Sequence, residues 1–300
     1  MKLAPIILFT HKRIDSLKTS LVSLAACDLA AASDLIVYSD GPRNGAEDEK
    51  IKMVRNYLHS AAGFKSVTVI ERAENLGVDY NLIGGLTEIA KTYEKFIVIE
   101  DDLIFAPNFL VFLNKALDFY QHHSQVLNIS AFAYLNKIPA NYSYDGYFTY
   151  RSWTWGWASW GHKMADIDWE VKDYATFKKD RSQRVLFNKT GGSDLSKMLR
   201  ETKEGVIRAW GIRMFYHQFK HQLLTLYPTT TKVTNIGFSA DGSHTFGYNR
   251  YKTTLDHSNQ QDFKFPDSPV PDQRLNAAFV RKNNLVNRIM TRVFSALIKN

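Results

Sequence analysis

Short apolar runs recur about every thirty residues through the first part of the chain, at positions 5–9, 35–38, 67–70, 96–99 and 126–129. Each is bounded and rich in Val and Ile, as a strand covered on both faces must be. Between them the apolar residues switch to helical spacing. Leu17, Leu21 and Leu24 form one stripe behind Asp15. Ile51, Val54 and Leu58 form a second, and Leu82, Leu86 and Ile89 a third. Phe109, Phe112, Ala116 and Tyr120 form a fourth, entered at Pro107. Strand and helix alternating at this length require right-handed crossovers. The pattern predicts an α/β fold with a mostly parallel sheet flanked by helices. Ligands of such sheets bind at the carboxyl ends of the strands, so the residues just after each run are the candidates for function.

Beyond position 130 the rhythm breaks. Residues 142–169 are dense in aromatics, and residues 163–204 are rich in charge and contain Gly191-Gly192. A helix is predicted over 206–221 and a strand over 223–227, ending at Pro228. Residues 249–273 are polar and contain proline, as a linker or a wrapping segment would. We expect a ligand-binding half over 1–130, a second half of the same domain over 131–248, a linker over 249–274 and a basic amphipathic helix over 275–300.

Composition narrows the class. With 45% apolar and 23% charged residues in a chain of 300, disordered, collagen-like and coiled-coil structures are excluded. The single cysteine, Cys27, permits no internal disulfide and no cysteine cage for zinc, and suits a reducing compartment. Its expected role is packing. No apolar run reaches the roughly 20 residues that span a bilayer. The apolar start ends in His11-Lys12-Arg13 and reads as a first buried strand rather than a targeting segment. Of the net charge of +8, the stretch from Asp272 to Asn300 carries +5, six Lys/Arg against one acid. The body is nearly balanced, which argues against a nucleic-acid-binding surface.

At the predicted strand ends stand Thr10-His11-Lys12-Arg13, Ser39-Asp40-Gly41, Glu74-Asn75-Leu76-Gly77 and Glu100-Asp101-Asp102. The last is the most informative. Three consecutive carboxylates repel one another when left alone. A divalent cation relieves that conflict, and hard oxygen ligands suit Mg2+ or Mn2+, which in turn neutralise a diphosphate. Strand alternation would place Glu100 and Asp102 on one side and Asp101 on the other. A solvated acidic turn before the helix at Pro107 is the plainer account of the same residues. Asp40 fits either a turn before Gly41-Pro42 or a ligand, and Arg13 either a solvated first-turn residue or a ligand.

The string Ile99-Glu100-Asp101-Asp102-Leu103-Ile104-Phe105-Ala106-Pro107-Asn108-Phe109 resembles the metal-binding region of N-acetylglucosaminyltransferase I and its bacterial relatives. These are GT-A glycosyltransferases, which use a nucleotide sugar and a divalent metal. Phe9-Thr10-His11-Lys12-Arg13-Ile14-Asp15-Ser16-Leu17 resembles their opening strand and helix, and Tyr38-Ser39-Asp40-Gly41 their second nucleotide-contacting turn. Arg151-Ser152-Trp153-Thr154-Trp155-Gly156-Trp157-Ala158-Ser159-Trp160, Tyr227-Pro228, Asn235-Ile236-Gly237-Phe238 and Gly242-Ser243-His244-Thr245 resemble bacterial members. The likeness spans roughly residues 4–248. It implies a GT-A fold, with Asp102 on Mn2+ or Mg2+, Asp101 on the ribose or a metal-bound water, and Glu100 on the transferred sugar. It also implies Asp40 accepting from a uracil N–H, which favours a UDP-sugar, with Thr10 and Arg13 near base or phosphate. Asn81 and Asp79 fall in the region that faces the nucleotide.

Trp153, Trp155 and Trp157 are candidates for the acceptor or sugar pocket, since indole faces stack on the apolar faces of sugars. Two of the four tryptophans in that string are expected in the core. His244 is a candidate second ligand for Mn2+, as a neutral imidazole suits it. His217 and His221 have metal-ligand spacing but no acid in the same helix, and read as structural. The chain departs from the family where an acid precedes a tryptophan, because Arg208 and Ala209 precede Trp210. Glu204 is then the nearest upstream candidate base, with Asp194, Asp166 and Asp168 further candidates, and Arg208 a candidate stabiliser of the departing diphosphate. Inversion and retention both stay open.

The function expected is transfer of a hexosyl or N-acetylhexosaminyl group to a glycan or lipid-linked glycan, in bacterial surface polysaccharide or lipopolysaccharide synthesis. A non-catalytic sugar-binding protein with a degenerate site is the alternative. A sugar-1-phosphate nucleotidyltransferase is disfavoured because the first turn lacks glycine. In the tail, Phe279, Leu285, Val286, Ile289, Met290, Val293, Phe294, Leu297 and Ile298 share a helical face flanked by Arg281, Lys282, Arg288, Arg292 and Lys299. That pattern predicts an interfacial helix on anionic lipid, holding the protein on the cytoplasmic face of the membrane.

Overall fold

A computed structural model describes residues 2–237, 251 and 253–290. The five predicted runs are strands: β1 (Ile6–Thr10), β2 (Asp34–Ser39), β3 (Ser66–Glu71), β4 (Lys95–Glu100) and, after a short β5 (Leu103–Phe105), β6 (Val126–Ser130). The helical stripes between them are α1 (Ile14–Ala25), α2 (Asp48–His59), α3 (Gly77–Thr92) and α4 (Phe109–Phe119). The second half adds β7 (Gly146–Thr149), β8 (Trp157–Trp160), β9 (Leu224–Pro228) and β10 (Val233–Asn235). Its helices are α5 (Gly161–Ala165), α6 (Tyr174–Lys179), α7 (Arg181–Gly191), α8 (Leu195–Lys203), α9 (Gly211–Lys220) and α10 (Gln273–Lys282).

Eight strands form one sheet in the order β3-β2-β1-β4-β8-β6-β9-β7. The first four are mutually parallel, β8 runs antiparallel to both its neighbours, and β6 and β9 are parallel. Side-chain alternation divides the core between two faces. Ile6, Leu8, Leu35, Val37, Ile97 and Ile99 meet α1, α2, α4 and α10, while Ile7, Phe9, Ile36, Tyr38, Phe96 and Val98 meet α3 and the α5–α9 layer. The chain leaves β1 toward β2 and β3 and returns to β4 on the other side of β1. The carboxyl ends of β1 and β4 are therefore the switch point where such sheets open a crevice.

The helix predicted over 206–221 begins only at Gly211. Gly205 has φ +72°, a left-handed conformation that ends α8, and residues 206–210 run as an irregular segment. Of the two expectations for residues 249–273, the described ones wrap: Phe263 and Phe265 pack on Phe112, and Asp256 forms a buried ion pair with Lys232. The described part of the tail, to residue 290, is two pieces. Asp272 caps α10 by accepting from the Arg274 and Leu275 amides, and Leu275 and Phe279 are core residues. The helix ends at Asn283, and a separate helical segment occupies 285–290 with Leu285, Val286, Ile289 and Met290 exposed. Among the described residues no helix is long and apolar enough to cross a membrane.

Candidate active site

The acidic triplet lies at the β1/β4 switch point. Glu100 ends β4, and Asp101 and Asp102 form the turn into β5. That turn ends the strand alternation, so Asp101 and Asp102 do not face opposite sides as predicted. One guanidinium reaches both: Arg13 Nη1 donates to Asp102 Oδ2 at 2.9 Å, and Nη2 donates to Asp101 Oδ1. Thr10 Oγ1 donates to the other Asp101 oxygen at 2.7 Å. The turn after β1 is thereby fastened to the turn after β4.

A residue the sequence analysis gave no role completes the arrangement. Asn235 Nδ2 donates to Asp102 Oδ1 at 3.1 Å, and its own Oδ1 accepts from the Gly237 amide at 2.7 Å. The Ile236 amide donates to the Asp102 carbonyl at 2.9 Å. Antiparallel pairing of β10 with β5 delivers these groups, with Asn235 opposite Leu103. A Cβ at position 237 would collide with the Asp102 carboxylate, so this close approach needs glycine.

The Glu100 carboxyl has no hydrogen-bond or ion-pair partner among the described residues. Burial, then the neighbouring Asp102 and Asp101, push its carboxyl up to about 8, against a smaller opposing pull from Arg13. Burial also raises Asp102, although Arg13 opposes it. The site is thus short of positive charge: three carboxyl groups face one guanidinium. That deficit and the hard-oxygen donors fit a divalent cation. Among the described residues no three His, Cys, Asp or Glu side chains gather as a complete metal cage. Mg2+-type sites seldom need one, since one or two carboxylates commonly share the ion with substrate phosphates and water. His244, the candidate second ligand, lies outside the described residues.

Asp40, buried after β2, is fully engaged. Its Oδ1 accepts from the amides of Leu76 at 2.8 Å and Gly41 at 3.0 Å, and its Oδ2 from the Gly77 amide and Asn75 Nδ2, both at 3.0 Å. These bonds hold the loop leading to α3 and leave neither oxygen bare for a uracil N–H. Asn81, on α3, is buried and accepts from Arg72 Nε at 3.4 Å. Asp79 is buried beside the irregular segment and accepts from the Trp210 amide at 3.2 Å.

That segment brings a cation to the edge, not an acid. Gly77 opens α3 at φ +72°, and a Cβ there would meet Arg208 Nη1. Arg208 is exposed and has no ion pair or hydrogen bond among the described residues. Glu204 sits elsewhere: it is exposed at the end of α8, 2.9 Å from Lys178 and 3.9 Å from Arg200. Its charge is matched on the helical layer by those two cations. Asp194 is buried against Arg151, and Asp168 accepts from the amides of Glu170 and Lys172.

The tryptophans divide. Trp157 is fully buried between Phe96 and Trp210, so neither ring face is left for a sugar, contrary to expectation. Trp160 is core under Lys163 Nζ. Trp153 is buried against Phe132, Tyr134 and Tyr251. Trp155 is half-buried at the edge of that cluster. Trp157 pairs with Val98 in register, so residues 155–156, running antiparallel to β4, stand level with Glu100. Of the three candidates, Trp155 best combines a partly open ring with the correct edge. His217 and His221 lie with ring centroids 4.4 Å apart and join no metal-binding group among the described residues. Cys27 is buried, with its thiol pushed up to about 12 by burial and Asp28.

No family model and no curated protein sequence matches the chain. Solved structures match in part. A mannosyltransferase from Pyrobaculum calidifontis, in complex with GDP-Man and Mn2+, is 16% identical over 52% of this chain and 44% of its own, with a TM-score of 0.38. Residues 1–349 of TarS from S. aureus are 14% identical over 79% of this chain and 61% of that one, with a TM-score of 0.43. Glucosyl-3-phosphoglycerate synthase from Mycobacterium tuberculosis, in complex with Mn2+, UDP and glucosyl-3-phosphoglycerate, is 15% identical over 43% of each chain, with a TM-score of 0.31. The chain spans less than two thirds of the length of each of these three.

Proposed function

We propose that the chain is a metal-dependent GT-A-type glycosyltransferase that moves a sugar from a nucleoside diphosphate donor to a glycan. The observation that carries this reading is the placement of Glu100, Asp101 and Asp102 at the β1/β4 switch point, short of positive charge. In this reading Asp102 holds Mn2+ or Mg2+, oriented by Asn235. The bound cation neutralises charge developing on the departing diphosphate. Arg208, over the start of α3, adds a second positive charge for the leaving group. Glu100, whose carboxyl has no partner among the described residues, is placed to accept from a sugar hydroxyl, and the half-buried Trp155 stands at the same edge to meet sugar. UDP-sugars head the donor series by sequence resemblance, although Asp40 is engaged, so GDP-sugars belong beside them. A bacterial surface glycan or a lipid-linked precursor is the acceptor class this reading favours. The segment from 285 onward is the proposed contact with anionic lipid at the cytoplasmic face.

The test is release of nucleoside diphosphate from a panel of UDP- and GDP-sugars, with Mn2+ or with EDTA. Wild type should turn over one donor only with metal, and Asp102→Ala should lose roughly 100-fold or more with an unchanged circular dichroism spectrum. Full metal-dependent turnover by a folded Asp102→Ala protein would remove the assignment. A second reading, a sugar-binding protein without catalysis, is favoured by Arg208 and Ala209 standing where the family has an acid. Donor binding with Mn2+ but no turnover with any acceptor would select it.

A further inference from the structure

We propose that Arg13 is a built-in counter-cation of the metal site, which competes with the divalent ion for Asp101 and Asp102 and is released when a diphosphate arrives. The inference rests on the metal-dependent reading above and concerns how its site is filled. The geometry motivates it. Each of the four carboxylate oxygens of Asp101 and Asp102 accepts from one protein donor: Arg13 twice, Thr10 once and Asn235 once. Thr10 and Asn235 are neutral and can stay while a cation binds the remaining lone pairs. Arg13 cannot do so without cost, because its charge lies at hydrogen-bond distance from the oxygens that an ion would take.

No other cation contacts the triplet among the described residues. Lys12 and His11, the neighbours of Arg13, turn to Glu47 instead, Lys12 at 2.5 Å and His11 at 3.4 Å. Arg13 stands at the mouth of the site, its side chain 24% exposed against 4% and 11% for Asp101 and Asp102. Its greater exposure gives it a path to solvent that the buried carboxylates lack. A planar guanidinium also matches two phosphate oxygens as well as it matches two carboxylates. A diphosphate bound beside the metal would therefore give the displaced Arg13 a new bidentate partner. Metal and diphosphate would then favour each other's binding, and by linkage each raises the other's affinity by the same factor.

The prediction is read with Mn2+ alone, by electron paramagnetic resonance of the free ion during titration of wild type, Arg13→Gln and Arg13→Lys. An opposite charge within about 4–6 Å of a carboxylate changes its affinity for a competing cation, the proton, by about 10- to 1000-fold. Arg13→Gln should accordingly bind Mn2+ at least about tenfold more tightly than wild type. Arg13→Lys should fall between them, since it keeps the charge but not the two-pronged contact. The gain should vanish in Arg13→Gln/Asp102→Asn. Thermal unfolding provides a second readout: Arg13→Gln should melt lower than wild type in EDTA and recover on adding Mn2+. Should Arg13→Gln not fold in EDTA, recovery of its fold by Mn2+ is the same result in another form. Equal or weaker Mn2+ binding by Arg13→Gln would overturn the inference while leaving the metal-dependent reading intact. No Mn2+ binding by any variant, with or without UDP, would overturn both.

Discussion

Replacing Asp40 by alanine separates two roles that the sequence could not. As a ligand for the nucleotide base, Asp40 would leave stability untouched when lost. The structure gives it four protein donors instead: the amides of Gly41, Leu76 and Gly77 and the side chain of Asn75. Gly41 and Gly77 are buried, whereas Leu76 and Asn75 are open enough for water to take over. Asp40→Ala therefore strands two buried amides, at about 1–3 kcal/mol each. Partial relaxation of the loop brings the expected loss to about 3 kcal/mol. For a chain of 300 residues, with an unfolding entropy of about 2.1 cal/mol/K per residue, that lowers Tm by about 5 °C. Differential scanning calorimetry of the two proteins measures it directly. The same loop sets the start of α3, over which Arg208 lies, so donor affinity should fall together with stability. An unchanged Tm with a selective loss of UDP binding would refute the reasoning and return Asp40 to the base.

His217 makes a pH-dependent contribution. Burial, then the adjacent His221, lower it to about 4 from 6.5, against weaker opposing pulls from Asp166 and Asp168. Above about pH 6.5 it is neutral folded and unfolded and contributes nothing. As pH falls below that, the unfolded chain takes the proton first, so stability declines by about 2 kcal/mol between pH 7 and pH 5. Urea unfolding of wild type and His217→Gln should show that slope in the first and a flatter one in the second; parallel slopes would contradict it. Truncation at Asn284 tests the tail without stripping Leu275 and Phe279 from the core. The shortened protein should keep its Tm and lose flotation with anionic vesicles, while equal flotation of the two forms would end the membrane assignment.

Much of the first half was legible because its signals are local. A strand covered on both faces must be apolar throughout, and a helix on such a sheet must repeat its apolar residues every three or four positions. Both requirements are met within a few residues of chain. The acidic triplet was legible for the same reason, since three adjacent carboxylates raise a local electrostatic conflict whatever surrounds them. The second half was less readable. Its short strands β7, β8 and β10 are three or four residues long, and antiparallel insertions carry no crossover rhythm.

What the tertiary structure alone decided is which distant groups meet. Asn235 reaches Asp102 across 133 residues because β10 pairs with β5, and no local pattern marks it. Asp40 is engaged because the loop before α3 folds back over the end of β2. Trp157 and Trp155 are two residues apart and chemically alike, yet Trp157 is fully buried and Trp155 only half-buried. Gly156, left-handed at φ +57° just before β8, breaks the strand alternation between them, so Trp157 packs in the core on the α3 side and Trp155 lies against the opposite cluster at the carboxyl edge. Glu204 and Arg208 are closer still to one another than to the triplet in sequence, but Gly205 turns the chain between them. One charge goes to the helical surface and the other over Gly77. Local chemistry named the triplet, and the sheet order that sets β1 beside β4 put Thr10 and Arg13 against it.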